Sequence, residues 1–151
     1  MEADLHTALF NIAMRMVDDR IAEIRIALEL AIESANTDSK SSAGDKHETS
    51  RAMAQLEQEK IGKQLQETMD MKNMLQRSAS VKPSKTATAG SIIFTEHGNF
   101  YLSVALGKIR QGKSEFFAIS TASPLGEKFL GRKVGEKIDF NNRTYTINSL
   151  Q

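Results

Sequence analysis

Two carboxylates three residues apart, Asp45 and Glu48, form the pattern in this sequence that is best suited to chemistry. They follow Gly44 and open a segment with helical periodicity, so their spacing puts both on one side of a first helical turn. By spacing alone they predict a helix cap, in which Asp45 accepts from an N–H three residues on and Glu48 reaches back. Both negative charges also suit the positive end of a helix dipole.

The functional alternative is a metal site. Carboxylate oxygens are hard ligands suited to Mg²⁺, which keeps several waters and takes only one or two protein oxygens. Two carboxylates do not make a tight magnesium site, but Asp45 and Glu48 would help to complete one that a partner half provides. His47 lies between them as a proton shuttle, a ligand or, more simply, a solvated loop histidine. The cap and the shared Mg²⁺ site both remain open at this point.

Two helices are needed to position these carboxylates. The first is predicted over Leu5–Ser34, which contains no Gly or Pro, and at about 1.5 Å per residue it would be roughly 45 Å long. Its apolar residues alternate at spacings of four and three, which is typical of a coiled-coil seam. The seam residues are Phe10, Met14, Val17, Ile21, Ile24, Leu28 and Ala31.

The polar run Asn36–Gly44 predicts a loop, and the second helix is predicted over Asp45–Arg77. The second seam is rougher, because Gln58 and Lys72 interrupt it. Two helices of similar length joined by a short loop predict an antiparallel hairpin. Residues 1–77 are therefore expected to form an antiparallel two-helix coiled coil with its tip near 36–48.

Residues 78–89 have the composition of a linker, and residues 90–151 carry short β-like segments. His97-Gly98-Asn99 predicts a hairpin turn, and Ser123-Pro124 predicts the start of a short helix that ends at Gly131. The expected fold class is α+β, with a small antiparallel sheet and one helix. The predicted strands are Ser91–Thr95, Phe100–Ala105, Glu115–Ser120, Lys137–Phe140 and Thr144–Ser149.

Composition narrows the function classes. The chain has no Cys, which excludes disulfides, thiolate metal sites and Cys nucleophiles, and no serine-hydrolase motif is present. Residues 1–77 carry 10 Lys and Arg against 14 Asp and Glu, whereas residues 78–151 carry 10 against 5. This asymmetry favours two units with different electrostatic roles. Lys108, Arg110 and Lys113 predict a basic turn that is either solvated or placed to meet nucleic-acid phosphates. We expect a cytoplasmic protein without a membrane span.

Two segments of the C-terminal half form a distinctive pattern: Ile119-Ser120-Thr121-Ala122-Ser123-Pro124-Leu125-Gly126 and Phe129–Glu136. They resemble the closing signature of the bacterial Gre transcript-cleavage factors. The order of parts is similar too: a coiled coil, a linker and an FKBP-like domain. At the tip, Gly44, Asp45 and Glu48 match the family pattern, whereas Thr49–Ala52 depart from it.

This resemblance implies a function. Gre factors bind RNA polymerase at its secondary channel and place the coiled-coil tip near the active site, where tip carboxylates help to hold the catalytic Mg²⁺ for cleavage of backtracked RNA. It implies that Asp45 and Glu48 are the tip carboxylates and that Ser123, Pro124, Leu125 and Gly126 belong to the polymerase-docking domain. The protein would be a monomer with no cofactor of its own. It would contact nascent RNA only indirectly and stimulate the polymerase's nuclease activity without being an enzyme itself.

Three other interpretations stay open. A Gre-like polymerase regulator without cleavage activity is suggested by Arg51, where the family has an acid-rich stretch. A prolyl isomerase or chaperone is suggested by the FKBP-like domain, although its aromatic residues are needed for the core. The last alternative is a coiled-coil adaptor that does not bind polymerase at all.

Overall fold

The computed structural model describes residues 2–41, 45–82 and 84–151, and it describes side chains in these ranges except for residues 2–4 and 38–47. Over this part of the chain two long helices precede a six-stranded sheet with one short helix, so the predicted α+β class is confirmed. None of the described helices is long and apolar enough to cross a membrane. The elements are α1 (Glu2–Ser41), α2 (Asp45–Ser78), β1 (Ile92–Thr95), β2 (Gly98–Ser103), β3 (Gly107–Gln111), β4 (Ser114–Ser120), α3 (Pro124–Phe129), β5 (Lys137–Phe140) and β6 (Arg143–Leu150).

The two long helices pack together, and residues 17–71 form one compact unit. Within this unit the least exposed side chains of α1 recur at the predicted seam spacing, with Val17 fully buried and Ile21 nearly so. On α2 the buried positions are Ile61 and Thr68, and Gln58 is half-buried between apolar neighbours in the seam. The Thr68 hydroxyl donates to the Gln64 carbonyl oxygen at 2.8 Å, so this polar group enters the seam with its hydrogen bond made. The predicted coiled-coil hairpin is confirmed.

The predicted end of the first helix is wrong. We expected a loop from Asn36, but α1 continues to Ser41. No Gly or Pro occurs in α1, and the Thr37 hydroxyl donates to the Glu33 carbonyl oxygen at 3.0 Å, which satisfies its polar group inside the helix. Polar residues that favour turns were therefore overridden by helix continuation. The remainder of the predicted loop, residues 42–44, lies outside the described residues.

Residues 1–16 and 72–151 form a second compact unit, which contains the sheet. The strand order is β3-β4-β2-β1-β6-β5. Every neighbouring pair is antiparallel except β2 and β4, which run parallel with Tyr101 beside Ala118. The expectation of a purely antiparallel sheet is wrong at this pair. The chain passes through β3 before it returns as β4, so β2 and β4 are not joined by a hairpin.

The turn between β1 and β2 lies one residue earlier than predicted. Thr95 pairs with Gly98, which leaves Glu96 and His97 as a two-residue loop. The Thr95 hydroxyl stabilises this loop from both sides, accepting from the His97 N–H at 3.1 Å and donating to the Gly98 carbonyl oxygen at 2.7 Å. Gly98 itself is the first residue of β2 and has a φ of 124°. The hydrogen bonds of the Thr95 hydroxyl therefore stabilise the turn that Gly98 had led us to predict.

The sheet has a core on each face. On one face Phe129 of α3 is fully buried and its ring centroid lies 5.2 Å from that of Phe100. On the other face the buried residues include Tyr101 and Phe116, whose ring meets Phe94 edge-on at 6.0 Å. The Tyr101 hydroxyl hydrogen-bonds to Ser78, the last residue of α2. The core of the first face consists of Ala87, Ile93, Phe100, Leu102, Phe129, Ile138, Tyr145 and Ile147.

The short helix α3 sits so close to β4 that only glycine fits at position 126. A Cβ built on Gly126 would overlap the Ser120 carbonyl oxygen and lie 2.8 Å from the Ser123 hydroxyl oxygen. By contrast, a Cβ on Gly62, inside α2, would have no neighbour within 4 Å. Gly126 is therefore required for packing, whereas Gly62 only lowers helix propensity.

We expect Gly126→Ala to lower the free energy of unfolding by about 1–3 kcal/mol, because the methyl group forces α3 away from β4. Gly62→Ala is the matched control and should raise it by about 1 kcal/mol. Urea denaturation of both full-length variants measures the difference. Equal effects of the two substitutions would contradict this packing.

Burial raises the pKa of Tyr101 to about 12, and its hydrogen bond to Ser78 opposes this only in part. The folded chain keeps the neutral phenol where the unfolded chain ionises. The stability that Tyr101 contributes is therefore complete below the ordinary tyrosine pKa and is lost as the pH rises towards about 12. In Tyr145→Phe, Tyr101 is the only tyrosine, and its tyrosinate absorbance should appear near pH 12. An ordinary tyrosine titration in the folded variant would show that this phenol is not buried.

Candidate functional site

The predicted tip carboxylates lie at the first turn of α2. Helix α2 begins at Asp45, and the Glu48 side chain is exposed. The Asp45 and His47 side chains, and residues 42–44, lie outside the described residues, so the predicted cap stays a prediction. The N-terminal turn of a helix carries partial positive charge, which favours an ionised carboxylate there. Glu48 thus presents hard oxygen atoms to solvent at a helix start.

No group of three or more His, Asp or Glu side chains able to hold a metal occurs among the residues whose side chains the structure describes. A lone exposed carboxylate supplies at most two oxygens, whereas Mg²⁺ requires six ligands in octahedral geometry. Glu48 therefore fits the role of one ligand among several. It does not by itself define a metal centre.

Helix α2, which carries these residues, has almost its predicted length, whereas α1 is longer than predicted. Helix α1 has 40 residues and helix α2 has 34. At about 1.5 Å per residue their lengths are roughly 60 Å and 50 Å. A helix cap needs only one turn, so capping alone does not account for helices of this length.

Residues Ser123 to Gly126 have a clear structural role. Ser123 is the N-cap of α3: its hydroxyl accepts from the Gly126 N–H at 3.1 Å and donates to the Ser120 carbonyl oxygen at 2.6 Å. Pro124 is the first helical residue, as predicted, and is exposed. Leu125 packs against the core and Gly126 is buried. Docking by this segment remains a prediction, and Pro124 is its most accessible residue.

The predicted basic turn is mainly a strand. Lys108 and Arg110 lie on β3, an edge strand, and their side chains project to the same face on either side of the buried Ile109. Both approach Glu115 of β4, at 3.7 Å and 3.5 Å. The alternation Lys108-Ile109-Arg110, between Gly107 and Gly112, is the sequence pattern that indicates this strand. It was interpreted as a turn because two of these three residues are charged. Of the three basic residues, only Lys113 lies in the turn.

The other two histidines, His97 and His6, both lie beside aromatic residues. The ring of His97 meets Tyr145 edge-on at 5.5 Å, although His97 remains exposed. His6 is half-buried, and its desolvation lowers the pKa of the imidazole. It lines a cavity together with Tyr101 and Ser78. Sequence analysis did not find this cavity, because its walls come from segments far apart in the chain.

The aromatic residues that a prolyl isomerase pocket would need lie in the core. Phe100, Phe129 and Tyr145 are almost completely buried and contact one another edge-on or tilted, with centroids 5.2 to 6.1 Å apart. Phe117 is the most exposed phenylalanine of the sheet, and its ring lies 6.0 Å from that of Phe100. These contacts hold α3 to the sheet.

Comparison with models of known families finds no match for this chain, and no curated protein or solved structure matches it either.

The N-cap of α3 can be tested directly. Ser123→Ala removes the acceptor of the Gly126 N–H and should lower the free energy of unfolding by about 1 kcal/mol. Ser123→Thr should retain most of the stability, because its hydroxyl can both accept from the Gly126 N–H and donate to the Ser120 carbonyl oxygen. Chemical denaturation compares both with Ser149→Ala, which alters an exposed residue of β6. A loss in Ser149→Ala as large as that in Ser123→Ala would argue against the cap.

Proposed function

We propose that this protein is a Gre-type transcription elongation factor that binds RNA polymerase at its secondary channel and promotes cleavage of backtracked RNA. The observation that carries the proposal is the exposed carboxylate of Glu48 in the first turn of a helix about 50 Å long. The resemblance of Ile119–Gly126 and Phe129–Glu136 to the closing signature of that family supports it. The protein acts as a stimulator of the polymerase's own nuclease and is not itself an enzyme.

In this proposal the long helices reach into the channel and the tip supplies carboxylates to a metal site that the polymerase half provides. When bound there, Mg²⁺ activates a water and stabilises the negative charge that develops on the phosphate. Glu48 contributes oxygen ligands from the first turn of α2, where its side chain is exposed. Asp45, at the first position of the same helix, contributes the second carboxylate.

The second candidate is a Gre-like regulator that occupies the channel without promoting cleavage. Arg51 favours it, since this exposed cation follows Glu48 by three residues and so lies on the same side of α2. A cation there competes with a metal for the Glu48 carboxylate. The two candidates share the docking and differ in the chemistry at the tip.

The decisive experiment adds the full-length protein to a backtracked elongation complex of bacterial RNA polymerase in Mg²⁺ buffer and follows shortening of the RNA. In Asp45→Asn/Glu48→Gln the rate should fall by about 10- to 100-fold while polymerase binding is unchanged. Asn caps a helix as well as Asp does, so the variant removes charge and keeps the helix start. Unaltered cleavage by this variant would remove the tip from the mechanism.

The matched control is Glu57→Gln/Glu59→Gln, which removes two exposed carboxylates from the body of α2. It should cleave like the unmodified protein. Polymerase binding with no cleavage, together with a gain of cleavage in Arg51→Glu, would establish the regulator instead. Failure to bind polymerase would exclude both candidates and leave the coiled-coil adaptor.

A further inference from the structure

A cavity of about 410 Å³ lies within the unit formed by residues 1–16 and 72–151. Its walls come from the second turn of α1, from the chain that follows α2, and from the sheet, which contributes Tyr101. This volume falls within the range of small-molecule binding sites. The cavity does not involve Asp45 or Glu48, so its role is separate from the function proposed for the tip.

The cavity lining is mainly apolar. Phe10 of α1 is half-buried, and Val81, which follows α2, is 44% exposed. The Tyr101 side chain is only 3% exposed and its hydroxyl bonds to Ser78, so its ring forms a rigid wall. The exposed valine lacks a packing role in the core. An apolar chain bound in the cavity would cover it and gain hydrophobic stabilisation.

The charged groups of the lining favour an anionic head. Among the described lining residues there is no Asp or Glu side chain, and the basic side chains are those of Lys82 and His6. Burial lowers the pKa of His6, which keeps that imidazole neutral at pH 7 and leaves it as a hydrogen-bonding group. The Thr88 hydroxyl donates to the Ala89 carbonyl oxygen at 3.4 Å and the Ser78 hydroxyl donates to the Leu75 carbonyl oxygen at 2.6 Å, so Lys82 is the main donor for a head group. A cationic head would meet no side-chain carboxylate here.

The wall opposite the helix is preformed. The Gly90 N–H donates to the Leu102 carbonyl oxygen at 2.7 Å, and the Thr88 N–H donates to the Ser91 hydroxyl at 2.9 Å. Gly90 has a φ of 93°, and a Cβ there would lie 2.8 Å from the Ser78 carbonyl oxygen. The cavity wall therefore depends on a glycine that lets the chain pass close to the end of α2. A preformed wall lowers the entropy that a ligand must lose on binding.

We propose that this cavity binds a small amphipathic carboxylate, with its apolar chain between Phe10, Val81 and Tyr101 and its head group beside Lys82. The tail is held by burial of apolar surface, and the head by one exposed cation. Because Lys82 is exposed, its contribution to affinity is modest and its main effect is on selectivity.

The test titrates the full-length protein with octanoate, 1-octanol and octylamine, three probes with the same chain and different heads, followed by amide NMR shifts. Octanoate should bind most tightly and octylamine most weakly, with the largest shifts at Thr88, Gly90 and Ser91. Lys82→Gln should weaken octanoate by about 1.5- to 5-fold and leave octanol unchanged. Lys85→Gln, an exposed lysine outside the cavity lining, is the matched control and should change neither.

A second pair of variants tests the apolar wall. Val81→Glu places a negative charge inside the site and should weaken octanoate more than octanol, whereas Val134→Glu alters another exposed valine outside the lining and should have no effect. Equal affinity for all three probes, preference for octylamine, or equal effects of the two valine variants would overturn the proposal. Absence of any saturable shift with octanoate would do so as well.

Discussion

Burial of β2 on both faces is the constraint on which the sheet-containing unit depends. Four successive residues, Phe100, Tyr101, Leu102 and Ser103, are almost completely inaccessible, although successive side chains of a strand point to opposite faces. One face therefore needs α3 as a cover and the other needs Tyr101 to be shielded beside Ser78. The Ser103 hydroxyl is buried without a hydrogen-bond partner among the described residues, which is the cost of continuing a strand with no exposed side.

The same constraint explains the close contacts around α3. A helix of six residues has too little surface to hold itself against a sheet, so it needs a very close approach and a fixed start. Gly126 allows the approach and Ser123 fixes the start, while Phe129 supplies the buried ring. The segment on which the sequence resemblance rests is thus also the segment that packs α3 against the sheet. Its pattern has a structural reason that is independent of any partner.

The elements whose apolar residues recur at a regular spacing were predictable from the sequence. Apolar spacings of four and three located both long helices, and Ser123-Pro124 located the start of α3. The errors arose where a local signal competed with its surroundings. Residues from Asn36 onward favour turns, but in the structure they continue α1. Strand β3 was not predicted because its Lys108 and Arg110 suggested a solvated turn, whereas both pair with Glu115 on the neighbouring strand. No sequence signal brings those strands together in advance.

The candidate site was predictable only in part. Its position at the start of α2 follows from the pattern around Asp45 and Glu48, and the exposure of Glu48 follows from its place beyond the apolar seam. The cavity beside Tyr101 was not predictable, because it requires residues 6, 81 and 101 to meet in three dimensions. The polar residues of its lining, such as His6 and Lys82, are far apart in the sequence and form no recognisable motif.

The half-buried Gln58 in the seam of α2 has a consequence for how the hairpin selects its partner. A polar residue inside a coiled-coil seam lowers stability but penalises every alignment that would set it against a purely apolar position. Sliding α2 by one heptad would move Gln58 to a different place along the seam and put an apolar residue where it now lies. A polar residue at one seam position therefore makes the registers of the two helices unequal in stability, which a uniformly apolar seam would not do.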